Sequence, residues 1–177
     1  MKWLLRIVAV LVLVALVVVA AGWLLPADFK VKRSVQVAAP AERVYALIAD
    51  PREWKRWGVW SQRDPAMKME YSGAAAGQGA KWSWQSASEG NGAMEFTAAV
   101  PPEKVVYLLS FPDMGMQSTG ELLIAPLGSA GVIVTWSNEG NMGSNPVNRW
   151  FGLFMDRLVG PDFEAGLNNL KKIAEAP

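Results

Sequence analysis

Along residues 31–60 the hydrophobic pattern changes period twice. Val31, Arg33, Val35 and Val37 alternate with Lys32, Ser34 and Gln36, which predicts a strand with one mostly apolar face. Pro40 sits where a first helical turn tolerates a missing N–H, and Val44, Tyr45, Leu47 and Ile48 follow at helical spacing. Asp50-Pro51 closes that run, because proline disfavours helical backbone in the residue before it. Trp54, Trp57 and Trp60 then recur at three-residue steps on a connecting loop, where so many indoles must cover an apolar surface. Beyond Pro65 the pattern is strand after strand. Strands are expected at Lys68–Tyr71, Ala80–Gln85, Ala93–Val100, Lys104–Phe111, Gln117–Pro126 and Gly131–Glu139. Turn chemistry separates them at Gly73–Gly79, Ser88–Gly92, Pro101-Pro102, Pro112–Gly115 and Leu127–Gly131. Spacings this short favour an antiparallel meander.

The helical period returns over Pro146–Ala174, where Gly160-Pro161 should break or kink the helix. Before that point Trp150, Phe151, Phe154, Met155 and Leu158 form a broad apolar face. After it Phe163, Leu167, Leu170 and Ile173 or Ala174 keep a three-to-four spacing. The expected class is α+β, with the late helix laid across the sheet.

At the amino terminus Ile7–Leu25 is nineteen residues without a charge. At about 1.5 Å per residue it is close to the ~30 Å hydrocarbon core of a bilayer. Trp3 and Trp23 bracket it as interfacial anchors would. Residues 1–26 are therefore expected to form a retained transmembrane anchor that crosses the membrane through residues 7–25. A cleaved signal is the alternative: Lys2 and Arg6 precede the run, and Ala20-Ala21-Gly22 is a small-residue stretch. Against it, the run exceeds the roughly 7–15 residues of a signal h-region. Lys30, Lys32 and Arg33 follow the segment, although the last two belong to the first strand. Segments of this kind mostly insert as signal anchors, so the domain of this single-pass chain is expected on the non-cytoplasmic side. Only Pro26-Ala27-Asp28 separates the two parts, which keeps the domain close to the membrane surface.

Composition narrows the chemistry. The chain has no cysteine and no histidine, which excludes disulfides, thiol nucleophiles, imidazole bases and every zinc site built on thiolate or imidazole. No Asp-rich loop has the ligand spacing of a calcium or magnesium site, and Gly73–Gly79 lacks the lysine of a phosphate loop. No metal and no cofactor are expected. With Lys2 and Arg6 set aside, fifteen basic residues face sixteen acidic ones. No basic stripe stands out, so nucleic acid is not an expected partner.

The runs AAPAERVYALIADPREWKRWGVWSQRDP at Ala38–Pro65 and GPDFEAGLNNLKKI at Gly160–Ile173 resemble the START-like superfamily, also called SRPBCC, and within it the polyketide cyclase/dehydrase-like group. The family pattern is a first strand, a short helix of the form A-P-x-x-V-[FYW]-x-x-[IL]-x-D-P, a tryptophan-containing loop, six more strands and a long C-terminal helix. The resemblance covers about residues 30–176, the expected extent of the domain. It implies a helix-grip fold, in which a seven-stranded antiparallel curved sheet wraps the C-terminal helix and leaves a cavity for an apolar ligand. That fold serves lipid carriers, cyclases and binding modules alike.

Nine tryptophans are more than packing requires, and seven of them fall in the domain. Parity alone leaves open which sheet face is concave. The pocket candidates are Trp57, Trp60, Trp82, Trp84, Phe96, Phe111, Trp136, Trp150 and Phe154. Met67, Met69, Met94, Met114, Met116, Met142 and Met155 suit an adaptable wall. Glu95, Glu121, Glu139, Asp156 and Arg157 are the candidate catalytic groups. The simpler expectation is solvated strand charges, or ion pairs with Arg149 or Arg157, and no catalytic residue is assigned. The preferred function is a membrane-tethered, non-enzymatic binding module for a lipid or other hydrophobic small molecule. The alternatives are a protein-interaction module whose cavity is filled, and a carboxylate-dependent cyclase, dehydratase or hydrolase.

Overall fold

Period-2 alternation becomes one seven-stranded antiparallel sheet in the computed structural model, which describes residues 2–177. A helix α1 (Lys2–Leu24) precedes β1 (Asp28–Val37), and α2 (Ala41–Ala49), α3 (Trp54–Trp57) and α4 (Trp60–Arg63) follow it. The meander is β2 (Lys68–Gly73), β3 (Ala80–Gln85), β4 (Gly92–Val100), β5 (Lys104–Phe111), β6 (Met116–Pro126) and β7 (Val132–Asn141), and α5 (Pro146–Glu175) ends the chain. The strand order is β1-β7-β6-β5-β4-β3-β2, so only β1 pairs out of sequence, against β7. The sheet curves around α5 in a helix-grip arrangement of the α+β class.

Alternation sorts the two faces. Val31, Val37, Val105, Leu122, Val134 and Trp136 point inward and are buried. Outward, Glu95 pairs with Lys81 at 3.0 Å, Glu121 with Lys104 at 3.9 Å and Glu139 with Lys30 at 3.0 Å. The strand carboxylates are thus solvated charges, with lysines rather than Arg149 or Arg157 as partners.

The tryptophan segment is not a loop but two single-turn helices, and the end of α2 explains it. Pro51 stops α2 and leaves its last carbonyls without helical donors. The Trp54 indole N–H donates to the Ile48 carbonyl at 2.7 Å, and that of Trp57 to the Leu47 carbonyl at 3.0 Å. Their rings meanwhile plug the interior. Trp54 packs against Trp57, Trp82, Phe96, Tyr107 and Trp136 with centroids between 4.4 and 5.9 Å apart.

The expected break at Gly160-Pro161 is absent: α5 runs unbroken through Pro161. Arg33, on the inner face of β1, braces the helix there. Its guanidinium donates to the Asp156 carboxylate at 2.7 and 3.2 Å, to the Asp156 backbone carbonyl at 3.3 Å and to Glu164 at 2.6 Å. Glycine is needed opposite it, since a Cβ on Gly160 would stand 2.0 Å from Arg33 Nη2. Beyond this point Phe163, Leu167, Leu170 and Ala174 are buried along α5. Before it the helix begins on an Asn145 cap that accepts from the Val147 N–H at 2.9 Å. There Phe151, Leu153, Phe154 and Leu158 are exposed instead of filling the core.

Among the described residues α1 is the helix long and apolar enough to cross a membrane. A signal sequence would pass the same test of length and composition. Only its last turns touch the domain, at the start of α5.

Candidate ligand-binding cavity

Where α5 parts from the concave face of the sheet, a cavity of about 690 Å³ opens. This lies within the range of small-molecule sites, about 300–1,000 Å³. Trp82 and Trp84 from β3 and Leu109 and Phe111 from β5 form one wall. Phe29 and Trp136 form the other, and Met155, Val159 and Phe163 from α5 form the roof. Trp136 and Phe163 stack across the join at 4.0 Å with their planes 7° apart. All seven methionines of the domain border the space. Unbranched thioethers can repack around different shapes, so this wall is adaptable rather than rigid.

A buried polar cluster is built into the apolar wall. The Tyr107 hydroxyl accepts from the Trp136 indole N–H at 2.8 Å and from the Asn138 side-chain amide at 3.3 Å. Register makes this possible. Gly120 lies opposite both Tyr107 and Asn138, and a Cβ there would stand 1.9 Å from Tyr107 Cζ. Burial pushes the Tyr107 hydroxyl up to about 12, while the bonds from Asn138 and Trp136 pull it the other way. Desolvation wins, so the phenol is neutral across the physiological range. As both bonds to its oxygen are received, its own proton is left to donate to an occupant. Ser118, two residues before Gly120 on β6, adds a second hydroxyl to the wall, with no side-chain partner among the described residues.

Two charged residues line the cavity, Lys55 and Glu89; the Lys55 ammonium stands 5.6 Å from the centre of the Tyr71 ring. Both Glu89 oxygens accept from Arg63, at 3.0 and 2.8 Å. The same guanidinium holds Asp162 at 2.7 and 3.0 Å, so it ties the β3–β4 turn, α4 and α5 together. Asp156 is held below the usual carboxylate range by its hydrogen bond to Arg33. Among the described residues no cluster of carboxylates could hold a metal ion.

Of the residues singled out in the sequence, Trp60, Trp82, Trp84, Phe111 and Trp136 border the cavity. Trp57 and Phe96 do not. They are fully buried behind it, where Trp57 caps α2 and Phe96 supports Trp54 and Trp82. Trp150 and Phe154 lie on the other side of α5: the Trp150 indole donates to the Val18 carbonyl of α1 at 3.1 Å, and Phe154 is exposed. Tyr107 and Asn138 were not singled out. Their signal was present in the alternation, because Tyr107 sits between Val105 and Leu109, and Asn138 extends the stripe Val132, Val134, Trp136. A polar residue in step with a buried stripe marks a wall with a purpose.

A family model described as "Polyketide cyclase / dehydrase and lipid transport" matches residues 28–175. No curated protein matches the chain by sequence. Among solved structures, a protein from Chromobacterium violaceum is similar at 21% identity and a TM-score of 0.60, over 84% of this chain and 99% of that one. Truncated norcoclaurine synthase from Thalictrum flavum is similar at 15% identity and a TM-score of 0.63, over 85% of this chain and 95% of that one. The di-domain ARO/CYC BexL, from the BE-7585A biosynthetic pathway, is similar at 15% identity and a TM-score of 0.61. That match covers 85% of this chain and 51% of the di-domain. Likeness at these identities speaks for the fold.

Proposed function

Because the chain belongs to the polyketide cyclase/dehydrase and lipid transport family, we propose that it is a membrane-tethered binding module for a lipid or other hydrophobic small molecule. Residues 1–26 are the anchor, residues 30–176 the binding domain, and the domain faces the non-cytoplasmic side. The observation that carries this reading is the cavity: about 690 Å³, walled by aromatic and methionine side chains, with the Tyr107 hydroxyl as its polar handle. Such a site favours a long apolar body bearing one acceptor, such as a carbonyl or ester oxygen. One observation favours binding over catalysis: Glu89, the carboxylate in the wall, is held by Arg63 at 3.0 and 2.8 Å. The open volume also speaks against an interior filled for a protein partner.

Titration of residues 27–177 with amphiphiles of rising chain length tests this through tryptophan emission, since Trp60, Trp82, Trp84 and Trp136 border the cavity. Each buried CH₂ contributes about 0.8 kcal/mol, so every two added carbons tighten binding roughly tenfold until the space is full. Affinity that does not change with chain length would overturn the proposal.

A further inference from the structure

The first half of α5 is apolar on two faces. Gly152 meets Met142, and Met155 and Val159 border the cavity. On the adjoining face Val147, Phe151, Phe154 and Leu158 recur at four- and three-residue steps, with Phe151 at the rim of the cavity. They stand open with relative exposures of 48%, 60%, 47% and 60%. A stripe of this kind marks a surface that something covers.

What covers it is set by α1, whose last turns lie on the same stretch of α5. A Cβ on Gly22 would fall 2.4 Å from the Pro146 carbonyl oxygen. The Trp150 indole N–H donates to the Val18 carbonyl at 3.1 Å, and Arg149 donates to the carbonyls of Trp23 and Leu25 at 3.0 and 3.3 Å. Gly22 meets Pro146 while Val18 meets Trp150, so the two helices pass in opposite senses and α5 starts back alongside the apolar span. Lipid that surrounds α1 therefore meets the stripe. The cavity opens on the same side, because its rim includes Phe151 and Met114 and both are exposed.

We propose that the first half of α5 lies in the headgroup–acyl boundary of the membrane that α1 spans, with Val147, Phe151, Phe154 and Leu158 in lipid and the mouth between Phe151 and Met114 opening onto it. The ligand is then a membrane-resident molecule that enters without crossing water. This rests on the anchor reading above. Amphipathic helices lie in that boundary with their apolar face buried roughly 5–10 Å. Trp23, at the end of α1, stands where interfacial indoles do. Arg157, next to Leu158 and without an ion pair among the described residues, can extend to lipid phosphates.

The chain has no cysteine, so each introduced cysteine is its sole thiol. The full chain is labelled with an environment-sensitive fluorophore at single cysteines replacing each residue from Val147 to Val159, and at Met114→Cys. It is then reconstituted in phosphatidylcholine–phosphatidylglycerol vesicles that carry nitroxide lipids at shallow or deep acyl positions. Ser129→Cys, in the exposed turn between β6 and β7, is the aqueous control, and Val12→Cys reports on α1. Shallow nitroxide should quench with helical period, strongest at 147, 151, 154 and 158 and weakest at 152, 155 and 159, and it should quench at 114. Labels at 151, 154 and 158 as unquenched as 129, with 12 quenched by the deep nitroxide, would overturn the inference and leave the anchor standing. An unquenched label at 12 would remove the anchor and the inference together. Disulfide dimers of Phe154→Cys without quenching would assign the stripe to a second copy of the chain and overturn the inference as well.

Discussion

Tyr107 shows how much one side chain decides. Its ring fills the space that Gly120 leaves, and its oxygen is the acceptor for two buried donors, Trp136 and Asn138. Tyr107→Phe keeps the ring and strands both N–H groups, so it should cost about 1–3 kcal/mol, read as a lower urea midpoint with an unchanged slope. The same variant should weaken amphiphiles that carry a carbonyl more than alkanes of equal length. Equal weakening of both would deny the hydroxyl its polar role. The hydroxyl also couples folding to alkali. Its folded value of about 12 exceeds the ordinary 10.0, so between the two the unfolded chain releases a proton that the folded chain keeps. Its contribution is therefore complete below about pH 10 and is lost as pH rises through about 12. Tyr45 and Tyr71 shift in the same direction through burial. Tyr107→Phe should thus flatten this alkaline loss in a pH series of unfolding curves without abolishing it.

At the scale of elements, the strands of the meander were legible to within a residue or two and β1 to within three, because alternation is enforced by a sheet that is buried on one face and solvated on the other. Ala80–Gln85 and Lys104–Phe111 were expected with the bounds they have. The helices were read less well, for a physical reason. Gly160-Pro161 looks like a break when only neighbours in sequence are considered, yet the brace is Arg33, on a strand more than a hundred residues away. No local pattern reports a cross-sheet guanidinium. Arg33 itself had a signal, a charge in step with Val31, Val35 and Val37. Arg33→Met should therefore act on α5 rather than on β1. Asp156, held low by its hydrogen bond to Arg33, should return toward the ordinary carboxylate range in a carbon-13 NMR titration, and amide exchange should quicken around Pro161. An Asp156 titration that does not move would exclude the guanidinium as its partner. Likewise α5 misled the choice of pocket residues. An apolar helix face reads as one surface in sequence, whereas here Met155 and Val159 turn to the cavity and Trp150 and Phe154 turn away from it.

At the scale of the whole molecule, α1 meets the domain through its last turns, from Val18 to Leu25, at the start of α5. Every described residue of α1 before Ala21 is exposed, and Gly22 is its buried residue, so the domain's core is complete without the helix. The cavity could not be read from sequence because it is a difference between two surfaces: the curvature of the sheet and the line of α5. The long apolar helix α1 could, because its signal is a single uncharged run. The two parts should therefore separate cleanly in experiment. The full chain should stay with membranes through a carbonate wash, since a spanning helix of this composition is not displaced by salt or alkali. Removal of residues 1–26 should abolish that resistance and leave the far-ultraviolet dichroism of the domain and its near-ultraviolet tryptophan signal intact. A mature chain beginning at Trp23 would show that a signal had been cleaved there. Loss of the tryptophan signal on truncation would show that α1 holds the fold as well as the membrane.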